Sequence, residues 1–200
     1  MDDRRPYHHG DLRPAWLAAA ETVLDEQGLE AFSLRRVAKA VGVSHAAPAH
    51  HFGDTQGLLT ALATEAFRRF VAAMEARQQG VSDPEERLVA SGLGYLDFAR
   101  GSPALFRLMF GSKRVGSDDP DYAEAARAAF LHLADDIAAH RGETVFDHPA
   151  AMEDAQAVWA MVHGLAELMA VGRLAAFPLE DREAEETIAR RLIARAIRRP

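Results

Sequence analysis

The chain is 200 residues long, 48% apolar and 26% charged, and contains no cysteine, which supports one or two globular domains and excludes disulfides, cysteine-ligated metals, iron–sulfur clusters and thiol nucleophiles. Its net charge of −7 argues against coating nucleic acid by bulk attraction, so any phosphate-binding surface has to be local. The opening Met1–Gly10 has no apolar run, and the window Ala155–Ala166 is only 12 residues, short of the roughly 20 that a membrane span needs; the expectation is a cytoplasmic protein with no membrane partner.

No segment shows the Val- and Ile-rich alternation of a sheet, and breakers divide the chain into about nine helices, an all-α fold. The first runs over 11–28 and ends at Gly28. Ser33 is placed to cap a second helix at 34–41, with Phe32 and Val37 as a hydrophobic staple around it. Leu34, Val37, Ala38 and Val41 share one face of that helix. Gly42 then supplies the left-handed residue of a tight turn, and Ser44 caps a short third helix, 45–51. Two helices joined in this way form a helix-turn-helix, whose second helix projects Ser44, His45, His50 and His51 from a surface otherwise held by alanine, as a DNA-reading helix does. Residues 1–54 form a first domain on this reading, and 55–200 a second.

In the second domain, helix 55–79 carries Leu59, Leu62, Ala63, Ala66, Phe67, Phe70 and Met74 on one stripe. Asp83-Pro84, Ser102-Pro103 and Asp119-Pro120 each pair an N-cap with a first-turn proline and open helices at 84–100, 103–110 and 120–141. His148-Pro149 opens 149–174, and the last helix is 181–198. The longest gap, 111–119, reads as a flexible loop.

Phe98, Phe106, Met109, Phe110 and Phe130 are either core or the wall of a ligand pocket. His163 and Glu167 share a helix face, with Trp159 one turn before. The trio either lines a cavity or only packs, since a buried Glu needs a partner and His163 is the nearest. An alternative function follows from that pair: a helical small-molecule-binding protein or enzyme using His163 and Glu167 for acid–base chemistry, without DNA binding. Metal ligation is not expected, because the adjacent pairs His8-His9 and His50-His51 point about 100° apart on a helix; no cofactor motif occurs. Helix 149–174 is apolar on more than one side, and 181–198 adds Ile188 and Leu192. The proposed cover is a second copy, in a C2 four-helix bundle whose interface is Val158, Val162, Leu165, Met169, Ile188 and Leu192.

Taken together, Tyr7-His8-His9-Gly10-Asp11-Leu12-Arg13, Ser33-Leu34-Arg35-Arg36-Val37-Ala38, Gly42-Val43-Ser44-His45-Ala46-Ala47-Pro48 and His50-His51-Phe52 closely resemble the N-terminal domain of the tetracycline-repressor (TetR) family of transcriptional regulators. The likeness is continuous over residues 7–70, and Trp159 with His163-Gly164 resembles a signature in the C-terminal domain of one branch. The resemblance implies that Ser44, His45, Ala46, Ala47 and His50 meet bases and phosphates of a double-stranded operator, that Ser33 and Arg35 meet phosphate, and that Arg4 and Arg5 form an arm reaching an adjacent groove. His51 belongs to the same element. Two residues depart from the pattern: Ala49 stands where a tyrosine usually precedes His-His-Phe, and Thr55 where a lysine usually follows it, both phosphate ligands in the family. The implied function is a homodimeric repressor, released from a palindromic operator by an apolar or aromatic small molecule.

Overall fold

A computed structural model describes residues 12–42, 51–170 and 182–197. Among these residues there are eight helices and no strand: α1 Leu12–Gln27, α2 Leu34–Val41, α3 Thr55–Gln78, α4 Pro84–Gly101, α5 Pro103–Gly111, α6 Pro120–Arg141, α7 Pro149–Ala170 and α8 Arg182–Ile197. The expected third helix at 45–51 lies, apart from its last residue, outside the described residues.

The capping chemistry sets the boundaries. The Asp83 carboxylate accepts the Glu86 N–H at 2.9 Å and the Asp119 carboxylate the Tyr122 N–H at 3.0 Å, each ahead of its proline. Asp54, which the sequence reading did not single out, caps α3 by accepting the Gly57 N–H at 2.8 Å. The two serines behave differently from expectation. Ser33 has the extended backbone of an N-cap, but its hydroxyl makes no cap bond, and the Arg36 and Val37 N–H groups go to its carbonyl instead. Ser102 also leaves its helix uncapped by the side chain, because its Oγ faces the Arg69 guanidinium at 3.4 Å. Gly42, with φ of +74°, closes α2 by donating to the Ala38 and Lys39 carbonyls, the left-handed turn the sequence predicts.

Burial follows the helical periods. Trp16, Ala20, Val23 and Leu24 of α1 join Phe32, Val37, Ala38 and Phe52 in a small N-terminal core, which runs through Leu58, Leu59 and Leu62 of α3 into the larger bundle. Helix α4 is the central element of that bundle, and Gly94 lets it approach α3: a Cβ there would stand 2.6 Å from both the Ala73 carbonyl oxygen and the Met74 Cα. Ile193 of α8 fills the space over Gly92. Arg77 of α3 reaches Asp97 of α4 at 2.6 Å and Glu186 of α8 at 3.2 Å, tying three helices together. A buried group of polar side chains does the same at the far end, where Gln78 of α3 donates to Asp136 of α6 at 2.6 Å and to the Arg87 carbonyl of α4 at 3.1 Å. Polar atoms taken out of water in this way need such partners.

Candidate functional site

The face expected to read DNA is described in part. Arg4, Arg5, Ser44, His45, Ala46, Ala47, Ala49 and His50 lie outside the described residues. Of the others, Arg35 and His51 are exposed, and Ser33 and Thr55 are half-buried. Lys39 lies one turn beyond Arg35 on the same outer face of α2 and is also exposed. It is a phosphate-binding candidate that the motif reading missed, although its i, i+4 spacing from Arg35 signals it. Phe52 is buried with the Arg13 guanidinium 5.4 Å over its ring, which ties the segment before α3 to the start of α1.

Helices α3 to α7 enclose a cavity of about 310 Å³. From α3 come Phe67, Phe70 and Met74, and from α4 Leu88, Ser91 and Tyr95. The opposite wall is Tyr122, Phe130 and Leu133 of α6, with Met109 and Phe110 of α5 and Val158, Trp159 and Val162 of α7 closing the rest. The rings hold one another edge to face: Phe70 meets Tyr95 at 4.7 Å and Phe110 at 5.9 Å, and Phe67 meets Phe110 and Tyr122 at 5.6 Å each. Among the lining residues there is no Asp, Glu, Lys, Arg or His.

Of the residues predicted for the pocket, Met109, Phe110, Phe130 and Trp159 lie on the wall. Phe98 is buried behind Phe70, and Phe106 is fully buried behind Phe110, so both are core. The Trp159, His163 and Glu167 trio separates. His163 lies behind the wall, with Nδ1 2.7 Å from the Tyr95 hydroxyl and its ring between Phe106 and Phe110. Glu167 is on the surface with its side chain 49% exposed, so it is not the buried carboxylate the sequence reading envisaged. Its Oε1 stands 4.0 Å from His163 Nε2. Burial pushes the Tyr95 phenol above its ordinary value; the Trp159 indole opposes the shift and the Glu167 charge reinforces it. Burial raises Tyr122 as well. Sequence reasoning missed Ser91, Tyr95 and Tyr122. The Leu88, Ser91, Tyr95 spacing of i, i+3, i+7 on one helix face was the available signal.

The surface of α7 corrects the predicted interface. Val158 and Val162 are 4% and 2% exposed and line the cavity, because with Ala151, Ala155 and Ala166 they form the inward stripe of the helix. Leu165 and Met169 are half-buried against the core. The outward stripe is Ala157, Ala160, Gly164 and Leu168, at i, i+3, i+7 and i+11. A Cβ at Gly164 would meet nothing within 4 Å. Among the described side chains of α7 and α8, the exposed large apolar ones are Trp159, Leu168, Ile188 and Leu192.

The segment expected to be a flexible loop is pinned. Arg114, between α5 and α6, donates from its guanidinium to the Leu29 carbonyl and to the Phe32 carbonyl at 3.3 Å, on the turn between α1 and α2. The Gly116 N–H reaches the Thr60 hydroxyl of α3 at 2.9 Å. The helix that brings Met109 and Phe110 to the cavity therefore leads directly into a grip on the turn that precedes α2.

An all-helical chain with an N-terminal helix-turn-helix and a separate apolar cavity is the architecture of a DNA-binding regulator. Residues 88–195 match the tetracyclin repressor-like C-terminal domain, and residues 17–62 match the tetR family of bacterial regulatory proteins. The chain belongs to the TetR family and is a helix-turn-helix transcriptional regulator, not an enzyme. A protein of unknown function from Rhodococcus sp. RHA1 superposes with a TM-score of 0.79 at 34% identity, covering 96% of this chain and 98% of that one. The TetR family transcriptional regulator PfmR from Thermus thermophilus gives a TM-score of 0.64 at 25% identity, over 92% of this chain and 99% of its own. The HTH-type transcriptional regulator BetI of Stenotrophomonas maltophilia (strain R551-3) is 27% identical over 154 residues, 76% of this chain and 78% of that protein. The acid–base reading of His163 and Glu167 is set aside, since one is engaged by Tyr95 and the other is at the surface. No described helix is long and apolar enough to cross a membrane.

Proposed function

We propose that the chain acts as a homodimeric repressor whose hold on a palindromic operator is released by a small apolar or aromatic molecule in the cavity. Residues 1–54 form the DNA-binding unit on this reading, with Ser44, His45, His50 and His51 on the reading helix. Residues 55–200 bind the effector and pair the subunits through the outward stripe of α7 and Ile188 and Leu192 of α8. Two reading helices about 34–36 Å apart enter successive major grooves. An effector that binds better to a dimer of different spacing shifts the population off DNA, by no more than its differential affinity for the two shapes.

The observation that carries this reading is the continuity from cavity to reading head. Helix α5 lends Met109 and Phe110 to the cavity wall and is followed within a few residues by Arg114, bonded to the α1–α2 turn. A ligand that displaces α5 has a short path to that turn. The test is selection of bound duplexes from fragments of the source genome, followed by gel retardation of the selected sequence with and without naphthalene as an apolar probe. Retention of a defined palindrome and its release by the probe are the expected results. Failure to enrich any sequence overturns the operator assignment, and a complex indifferent to a probe that binds overturns the effector mechanism.

A further inference from the structure

The cavity offers few polar atoms, and how each is engaged decides what a ligand can present to them. The Tyr95 hydroxyl lies 2.7 Å from His163 Nδ1, and His163 Nε2 faces the Glu167 carboxylate at 4.0 Å. A neutral imidazole beside a carboxylate keeps its proton on the nitrogen that faces it, so Nε2 carries the hydrogen and Nδ1 is left as a bare acceptor. The Tyr95 O–H therefore donates to His163, away from the cavity. A phenol oxygen also accepts: the Trp159 indole N–H on the same wall is one donor to it, and the remaining lone pair is what Tyr95 offers a ligand. Ser91, one turn earlier on α4, lines the same wall and is 5% exposed, which brings its hydroxyl into the same polar patch. No ionised side chain lines the wall, so an ion entering the cavity would lose its hydration without a counter-charge.

We propose that the cavity selects a neutral aromatic ligand bearing a hydrogen-bond donor, a hydroxyl in the simplest case, which the Tyr95 oxygen accepts while the Ser91 hydroxyl serves as second polar partner. The inference rests on the cavity being the effector site. At about 310 Å³ it is at the small end of ligand pockets and suits one or two fused rings. His163 is a positioning residue: it never touches the ligand, and it decides which way the Tyr95 O–H points.

Equilibrium dialysis of the full chain at pH 7.5 against four probes tests this. Naphthalene reports the apolar wall alone, 2-naphthol adds a donor, 2-methoxynaphthalene keeps the oxygen without the donor, and 2-naphthoate replaces the donor with a negative charge. The expected order is 2-naphthol tightest, about fivefold or more ahead of 2-methoxynaphthalene, with 2-naphthoate weakest. Tyr95→Phe lowers 2-naphthol affinity about tenfold, the scale of one net hydrogen bond, and leaves naphthalene unchanged. Ser91→Ala, which removes one oxygen and no bulk, lowers 2-naphthol affinity about threefold, again sparing naphthalene. His163→Phe cannot accept from Tyr95, frees that O–H for the cavity, and shifts the preference toward 2-methoxynaphthalene, a change that loss of packing alone would not produce. Equal affinity for 2-naphthol and 2-methoxynaphthalene in the natural chain, or 2-naphthoate binding as tightly as 2-naphthol, overturns the inference and leaves the cavity standing as the effector site. If neither naphthalene nor 2-naphthol binds, the effector-site reading falls with it.

Discussion

Gly94 is where the packing of α3 on α4 is least forgiving. A methyl group there would meet backbone atoms of Ala73 and Met74 at 2.6 Å, and backbone cannot swing aside as a side-chain tip does. Gly94→Ala should cost about 1–3 kcal/mol by forcing the two helices apart. In a chain of this size that amounts to roughly 2–4 °C in Tm for each kcal/mol, readable by calorimetry. Gly101, at the exposed end of the same helix, has open space around the Cβ position and no positive φ. Gly101→Ala should be neutral or stabilising by up to about 1 kcal/mol, since the glycine only adds unfolded-state entropy. Equal losses at the two positions would mean that helix contact is not what Gly94 provides.

At the level of elements, the Arg114 grip and the α7–α8 surface make separate predictions. Arg114→Met removes the donors to the Leu29 and Phe32 carbonyls while keeping a long apolar stem. The Leu29 carbonyl keeps the Phe32 N–H, whereas the carbonyl of buried Phe32 loses its guanidinium donor, so the stability cost is about 1–3 kcal/mol. The functional cost is larger: the variant should still retard operator DNA and still bind 2-naphthol, but the ligand should release the DNA less completely. Unchanged release in a titration of ligand against the DNA complex would remove Arg114 from the coupling path. On the other surface, Leu168→Glu and Leu192→Glu leave the isolated subunit nearly undisturbed, because these side chains are 44% and 39% exposed in it. Across a dimer interface each buries an unpaired carboxylate at several kcal/mol. Light scattering should show monomers; a dimer in both variants would place the interface elsewhere. The residues that carry these two predictions differ in how far the sequence reveals them. The cap-proline pairs at 83–84 and 119–120 place two helix starts, because their chemistry is local. Helix α7 is apolar on several sides, which hides its rotation, and the interface expected at Val158 and Val162 proves to be cavity wall while Leu168 faces out. Arg114 has no local signal at all, since its partners are more than 80 residues away in sequence.

For the whole molecule, the problem is how a chain of net charge −7 holds a polyanion. The acidic excess is spread in proportion along the chain, residues 1–60 carrying six basic and eight acidic groups, so on the proposed reading the attraction is local: Arg35, Arg36 and Lys39 lie exposed on one short helix. With so few cations, each one weighs heavily in DNA affinity, and Thr55 becomes an informative position. It begins α3 directly after the Asp54 cap, half-buried, where the family resemblance expects a phosphate-binding lysine. Thr55→Lys places a cation near the positive end of a helix dipole, which costs the fold about 0.3–1 kcal/mol, so thermal stability is the wrong readout. Operator affinity measured at several salt concentrations is the right one. Each phosphate neutralised steepens the dependence of log K on log salt by about 0.9, so two subunits add up to about 1.8. The variant should bind more tightly at low salt, lose that advantage as salt rises, and keep its sequence preference, because phosphate contacts position the protein and do not read bases. Thr55→Gln controls for side-chain length without charge and should leave the slope unchanged. If Thr55→Lys moves neither affinity nor slope, the start of α3 faces away from the DNA and the reading helix docks in a different orientation from the one the resemblance implies.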